Sequence, residues 1–291
     1  LITSVEQLAG TKNRVTGSGN DGIAIDATSD GVVLKGNTVV GNGDDGVETL
    51  NATATVQKTA ALANGSLGVF ALAGAIDGGG NSARANGTLA GCSATIACAP
   101  AFVPKAGPVT PSCGMVVTSS ITLGADTPLC AGSAGLIVGA DGVTINLNGH
   151  RVLGDRSAGH IGIDAQGHAK VTIKNGIVRG FDRGIVALGA KGLKISNVEV
   201  RDSLSHGAEL DGTGIALTKA MFLFNTGDGL RLFDDAVTPK ISATFFVGNG
   251  GDGLHSHAKR LVADKITATL NGGHGAVLGG AERVSLKGST F

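Results

Sequence analysis

Tryptophan and tyrosine are absent from this 291-residue chain, and phenylalanine occurs only nine times. Sugar-binding clefts commonly offer flat Trp or Tyr faces to pyranose rings, so their absence counts against such a cleft. Net charge is missing too, since 23 Lys and Arg balance 23 Asp and Glu. A neutral chain has no electrostatic reason to bind nucleic acid or to enter an anionic membrane surface. No run of about 18 uninterrupted apolar residues exists, so no membrane-spanning helix is expected. The richest stretch, Ala60 to Ile76, is broken by Asn64, Ser66 and three glycines. The chain opens at Leu1 with neither an initiator Met nor a signal-like pattern, as expected of a mature or excised piece. Disorder is excluded as well, because 42% hydrophobic residues at zero net charge is the opposite of its signature.

What the chain has in excess is glycine, 49 of 291 residues, about 17% against a usual ~7%. Each glycine costs a helix roughly 1 kcal/mol relative to alanine, so the composition favours strands and turns. Four cysteines stand in two close pairs, Cys92 with Cys98 and Cys113 with Cys130. Neither pair has C-x-x-C spacing and no histidine is placed to complete a zinc site, so local disulfides in an oxidising compartment are expected rather than free thiols.

The glycines follow a repeat. A glycine followed by an aliphatic residue recurs at Gly22, Gly46 and Gly68, and again at Gly162, Gly184, Gly207, Gly229, Gly253 and Gly275. The steps are 24 and 22 residues, then 22, 23, 22, 24 and 22. Four residues ahead of these anchors stand Ser18, Asn42, Asn64, Ser203, Asn225, Asn249 and Asn271. Alternating β-type runs such as Val32–Val40, Val171–Val178 and Leu193–Val200 lie between them. A period of 22–24 residues with short strands and no helical pattern describes one turn of a solenoid, each coil pairing with those above and below. Residues one and three past each anchor are mostly aliphatic and are expected inside. The Asn and Ser column is expected to hydrogen-bond along the stack. The anchor glycines are expected to supply backbone angles that other residues resist.

The asparagine ladder, the 22-residue coil and the N-x-G-D-G-[IVL] turn resemble the right-handed parallel β-helix superfamily, the pectin-lyase-like fold of bacterial extracellular proteins. That resemblance implies an all-β, right-handed parallel β-helix in two tandem segments. Residues 1–98 read as the last coils and closing segment of one β-helix. Residues 99–112, with Pro100, Pro104, Pro108 and Pro111, read as a linker. Residues 113–291 read as the capping segment and coils of a second, its first coil fastened by a Cys113–Cys130 bridge. Either a longer tandem chain or end-to-end contact with copies of itself is expected to continue the stack.

Part of the column just ahead of the anchors resembles the polygalacturonase branch of glycoside hydrolases. Successive coils read Asn225-Thr226-Gly227-Asp228, Gly251-Asp252-Gly253 and Gly273-His274-Gly275. The resemblance implies Asp228 and Asp252 as an acid/base pair with His274 as helper. It is partial: the paired aspartates shrink to Gly251-Asp252, and no Arg-x-Lys substrate clamp follows. A second column, two past the anchor and outward, reads Val186, Glu209, Arg231, His255 and Val277. Arg231 and His255, with Glu209 beside them and His257 near, are the set a lyase needs to abstract a sugar-ring proton and neutralise a uronate. A ladder of exposed opposite charges is the alternative reading of this column. No dedicated metal set is assigned. A divalent ion among Asp228, Asp252, His206 and His274, or calcium at Asp21, Asp44 and Asp45, is the only cofactor expected. His150, His160 and His168 fall in turn-like stretches, and Phe222, Phe224, Phe233, Phe245 and Phe246 in core strands or contacts.

The sequence thus leads to an extracellular or cell-surface structural or adhesive rod, with copies of itself, adjoining parts of a longer chain and surface glycans as partners. The alternative is a polysaccharide (uronate) hydrolase or lyase of the same fold.

Overall fold

The computed structural model describes residues 9–291 apart from 85, 89, 90, 101 and 281, so the first eight residues of the expected 1–98 segment lie outside it. Among the described residues every regular element is a β-strand. The chain is a parallel β-helix repeat protein. Its contacts divide it into two compact units, Leu1–Ala101 and Phe102–Phe291.

In the first unit each coil contributes to three sheets. One contains Ile23–Ile25, Val47–Thr49 and Val69–Ala71. The expected run Val32–Val40 is two strands, Val33–Lys35 and Thr38–Val40, because Gly36 at φ 69 turns the chain between them. In the second unit an eight-stranded sheet runs from Met115–Val117 to Ala276–Leu278. A larger sheet carries the long strands Thr172–Arg179 and Lys194–Arg201, after which it forks into two ladders of shorter strands.

The parallel register follows the sequence repeat residue for residue. Ile23 pairs with Val47 and Val47 with Val69. Ile185, Ala208, Leu230, Leu254 and Ala276 form the corresponding row in the second unit. Most of this row is fully buried, as are Ala187, Leu210 and Leu232 three past the anchors, so each coil adds one aliphatic layer to a continuous core. Phe222 and Phe246 stack within it, ring centroids 5.4 Å apart.

The polar column is buried with them. Asn225 and Asn249 each donate Nδ2–H to the next asparagine's Oδ1 at 2.9 Å, and that oxygen also accepts their backbone N–H. Asn42 and Asn64 do the same in the first unit. Two shorter ladders were not read from the sequence. At one coil position Asn13 N–H donates to Asn37 Oδ1 and Thr59 N–H to Asn81 Oδ1, and Asn146, Asn175 and Asn197 form the other.

The anchor glycines have a different cause from the one expected. None has positive φ. A Cβ on Gly229 would lie 2.6 Å from the carbonyl oxygen of Gly253 and 2.9 Å from Asn249 Nδ2. On Gly253 it would lie 2.6 Å from the oxygen of Gly275 and 2.8 Å from Asn271 Nδ2. Glycine is required here for the close approach of the next coil.

Both expected disulfides, Cys92–Cys98 and Cys113–Cys130, are formed. Part of the proline-rich stretch is laid against the second unit. The Lys105 carbonyl accepts from Asn148 Nδ2–H at 2.9 Å and lies 2.8 Å from His150 Nε2, while Gly124 N–H donates to Val109 at 2.7 Å. His150 is therefore a buried clamp, held from its other side by Asp126 at 3.4 Å.

Two outcomes follow. Asn249→Ala strands the Phe222 carbonyl and the Asn225 N–H and should cost about 3 kcal/mol, read from the denaturation midpoint. The exposed Asn20→Ala should be close to neutral, and equal effects would refute the ladder's role. Opening Cys113–Cys130 by Cys→Ser exchange should cost about 3 kcal/mol on the chain-entropy account. An unchanged melting temperature would show that bridge to be idle.

Candidate functional site

The anchor repeat sets two rows of side chains side by side on the second unit. Along the turns run His206, Asp228, Asp252 and His274, one residue ahead of their glycines. On the eight-stranded sheet, Glu209 pairs with Arg231, Arg231 with His255 and His255 with Val277. Val186, expected outward at the start of this row, is buried.

The turn row has a backbone duty. Asp252 N–H donates to Asp228 Oδ1 at 2.8 Å, and His274 N–H to Asp252 Oδ1 at 2.8 Å. His206 does the same work with a ring nitrogen, its Nδ1 accepting Asp228 N–H at 2.9 Å. In the first unit Asp21 and Asp45 accept the amides of Asp45 and Leu67. Each of these side chains thus spends one acceptor on the coil above and keeps its other polar atom. A Cβ on Gly251 or Gly273 would press on Asp228 or Asp252 Oδ1 at 2.5 Å, although the first unit carries Asp44 at the position that Gly251 holds here.

The remaining polar atoms converge. His255 Nδ1 lies 2.8 Å from Asp252 Oδ2 and 3.9 Å from Asp228 Oδ2. His206 Nδ1 is 3.4 Å from Asp228 Oδ2, and its Nε2 is 3.2 Å from Arg231 Nη1. Glu209 is held by Arg183 at 3.3 Å, and Arg231 lies over the Phe233 ring at 5.6 Å. His274 reaches Asp252 Oδ1 at 3.1 Å but is 77% exposed. An open groove of about 460 Å³ adjoins the row, lined by Arg231, Phe233, Asp234, Asp235, His257 and Asp211 among others.

The structure therefore brings Asp228, Asp252, His255 and Arg231 together, sets Glu209 at their edge, and leaves His274 on the rim. His257 was noted in the sequence only as a neighbour. Its partner Asp234, 3.1 Å from Nδ1, belongs to neither column and was missed.

Burial would by itself raise the Asp252 pKa, but the His274 amide and the rings of His255 and His274 prevail and hold it below the ordinary range. His206 is lowered, first by burial and then by Arg231 and His255, against the opposing pull of Asp228 and Glu209. Ligand atoms of Asp228, Asp252 and His255 fall within 4.8 Å of one another, as do those of Asp21, Asp44 and Asp45. Burial, ahead of the charges of Asp44 and Asp21, raises the Asp45 pKa.

No protein-family model and no curated protein matches the chain. Solved structures of the periplasmic alginate epimerase AlgG are similar to it. One is 12% identical over 93% of this chain and 75% of that chain, with a TM-score of 0.39. A mutant of that enzyme is 14% identical over 95% and 76%, with a TM-score of 0.40. The likeness is one of fold, and the site's chemistry rests on its own side chains.

His206 gives the site a pH signature. Its folded pKa lies below the ordinary imidazole value of ~6.5, so below that pH the unfolded chain binds more protons than the native one. The stability it supports is whole above about 6.5 and is lost as pH falls towards its folded pKa. Denaturation midpoints should fall between neutral pH and about 5, and His206→Gln should flatten that slope. Parallel slopes in both proteins would exclude His206 as the cause.

Proposed function

We propose that this β-helix acts on uronate polysaccharides by abstracting the ring proton beside the carboxylate, as a lyase does. The single observation that supports this reading is the His255–Asp252 contact at 2.8 Å with Arg231 paired in register on the preceding strand. Stacking alone does not call for this chemistry. The first unit builds the same amide ladder with Asp21 and Asp45, and its corresponding outward row is Ala24, Glu48 and Phe70. Three of the seven histidines, His206, His255 and His274, stand in the second unit's turn and sheet rows, with His257 beside them.

In this reading Arg231 neutralises the uronate carboxylate, which acidifies the adjacent C–H. His255 takes the proton, while Asp252 orients its ring and stabilises the imidazolium. The C–H electron pair becomes the ring double bond as the glycosidic C–O bond breaks, and the leaving oxygen takes a proton from solvent. Hydrolysis by Asp228 and Asp252 is the second enzymatic reading: Asp252, held ionised, would be its base and Asp228 its acid, and it leaves Arg231 and His255 without a role. Disulfide pairing of all four cysteines fits an oxidising, extracellular or periplasmic setting.

A structural or adhesive rod assembling with copies of itself is the second reading, supported by the parallel coil-on-coil pairing within each unit. An assay on a panel of uronate polymers separates the readings. The lyase releases unsaturated, ultraviolet-absorbing ends, and His255→Gln lowers kcat by about 10²–10⁴. Asp252→Asn should also be slow while folding normally, since the amide oxygen still accepts the His274 N–H. Saturated reducing ends alone would transfer the reading to the hydrolase. No product, together with smooth unbranched fibres in electron micrographs, would transfer it to the rod.

A further inference from the structure

His255 is the middle residue of the strand Leu254–Ser256, His257 follows that strand, and the two rings meet head to head. Their Nε2 atoms are 3.1 Å apart, with centroids 5.1 Å apart and planes within 12° of parallel. The other nitrogen of each ring faces a carboxylate oxygen, His255 Nδ1 at 2.8 Å from Asp252 and His257 Nδ1 at 3.1 Å from Asp234. An ionised carboxylate only accepts, so each Nδ1 carries a proton. In neutral imidazoles both Nε2 atoms then present lone pairs, and two lone pairs at this separation repel unless a cation draws them together.

We infer that His255 and His257 form a chelating pair for a divalent first-row transition ion of the Zn²⁺ or Cu²⁺ class. Imidazole nitrogens bound at about 2.0–2.1 Å, at tetrahedral to square-planar angles, stand roughly 2.9–3.4 Å apart, which brackets the observed spacing. A carboxylate behind each ring is what fixes the tautomer and raises the basicity of a metal-binding histidine. Two imidazoles select Zn²⁺ or Cu²⁺ over Ca²⁺ or Mg²⁺, which prefer oxygen-only sets such as Asp21, Asp44 and Asp45. Space remains around the pair. An added Cβ on Gly279 would still lie 3.5 Å from His257 Nε2, and the groove beside Arg231 and Asp234 opens next to it. The remaining coordination positions go to water or to a ligand carboxylate.

The inference stands apart from the lyase reading, and the two meet at one atom. His255 Nε2 cannot both hold a metal and accept a ring proton, so the loaded protein is the inactive form. The test reads binding. Zn²⁺ is titrated calorimetrically into the metal-free full chain in a non-coordinating buffer at neutral pH, and Cu²⁺ is followed by electron paramagnetic resonance. One ion per chain at micromolar affinity is expected, with hyperfine structure from two nitrogens. His257→Gln and His255→Gln should each weaken binding about tenfold or more, as should Asp234→Asn. His168→Gln should leave it unchanged. His257 is 47% exposed, so its variant should fold, and matching thermal melts verify this. Absence of binding below millimolar concentration would overturn the inference and leave the pair sharing a proton. Binding that survives His257→Gln and is lost in Asp228→Asn would overturn it too, by moving the ion to Asp228, Asp252 and His255.

Discussion

The structure depends on how closely one coil can approach the next. At Gly22, Gly46, Gly207, Gly229 and Gly253 an added Cβ would press on the carbonyl of the following anchor glycine and on the side-chain amide of an asparagine. A methyl group there would force the coils apart. The strand pairing, the aliphatic layers and the buried asparagine bonds all require the spacing this contact permits. The 22–24-residue period is the length of chain that returns to the same contact.

The same stacking sets the terms for chemistry. Several turns supply one side-chain acceptor for the amide of the next coil, an aspartate oxygen or a histidine nitrogen. Asp21 and Asp45 supply it in the first unit, and His206, Asp228 and Asp252 in the second. An aspartate has a second oxygen and a histidine a second nitrogen. Once the backbone is satisfied, those atoms are held in place by the turn. The order that stabilises the solenoid therefore also positions the polar atoms of the site.

The missing tryptophan and tyrosine take on a narrower meaning in this setting. They leave the groove without a large flat sugar platform, and Phe233, with Arg231 over its ring, is the aromatic that lines it. Recognition there must rest on charge, with Arg231 among Asp211, Asp234 and Asp235. Overall neutrality conceals this local pattern, because the charges cancel over the whole chain while remaining clustered in space.

The repeat determined the fold class, the inward columns, the asparagine ladder and the registry of Glu209, Arg231 and His255. A parallel solenoid converts spacing along the chain directly into neighbours in space, so periodicity was sufficient. Both cysteine pairs were legible for the same local reason. The cause of the anchor glycines was misread, because a positive φ and a close approach both select glycine and only coordinates separate them. The shorter ladder at Asn13 keeps the anchor spacing but went unread because Thr59 interrupts its asparagines, and the one at Asn146 because its first step is 29 residues. Tertiary structure alone decided which nitrogen of each histidine faces which oxygen, that His274 sits on the rim, and that His257 meets both His255 and Asp234. Those contacts depend on side-chain rotation and on a corner turning back beside the sheet, and neither leaves a period in the sequence.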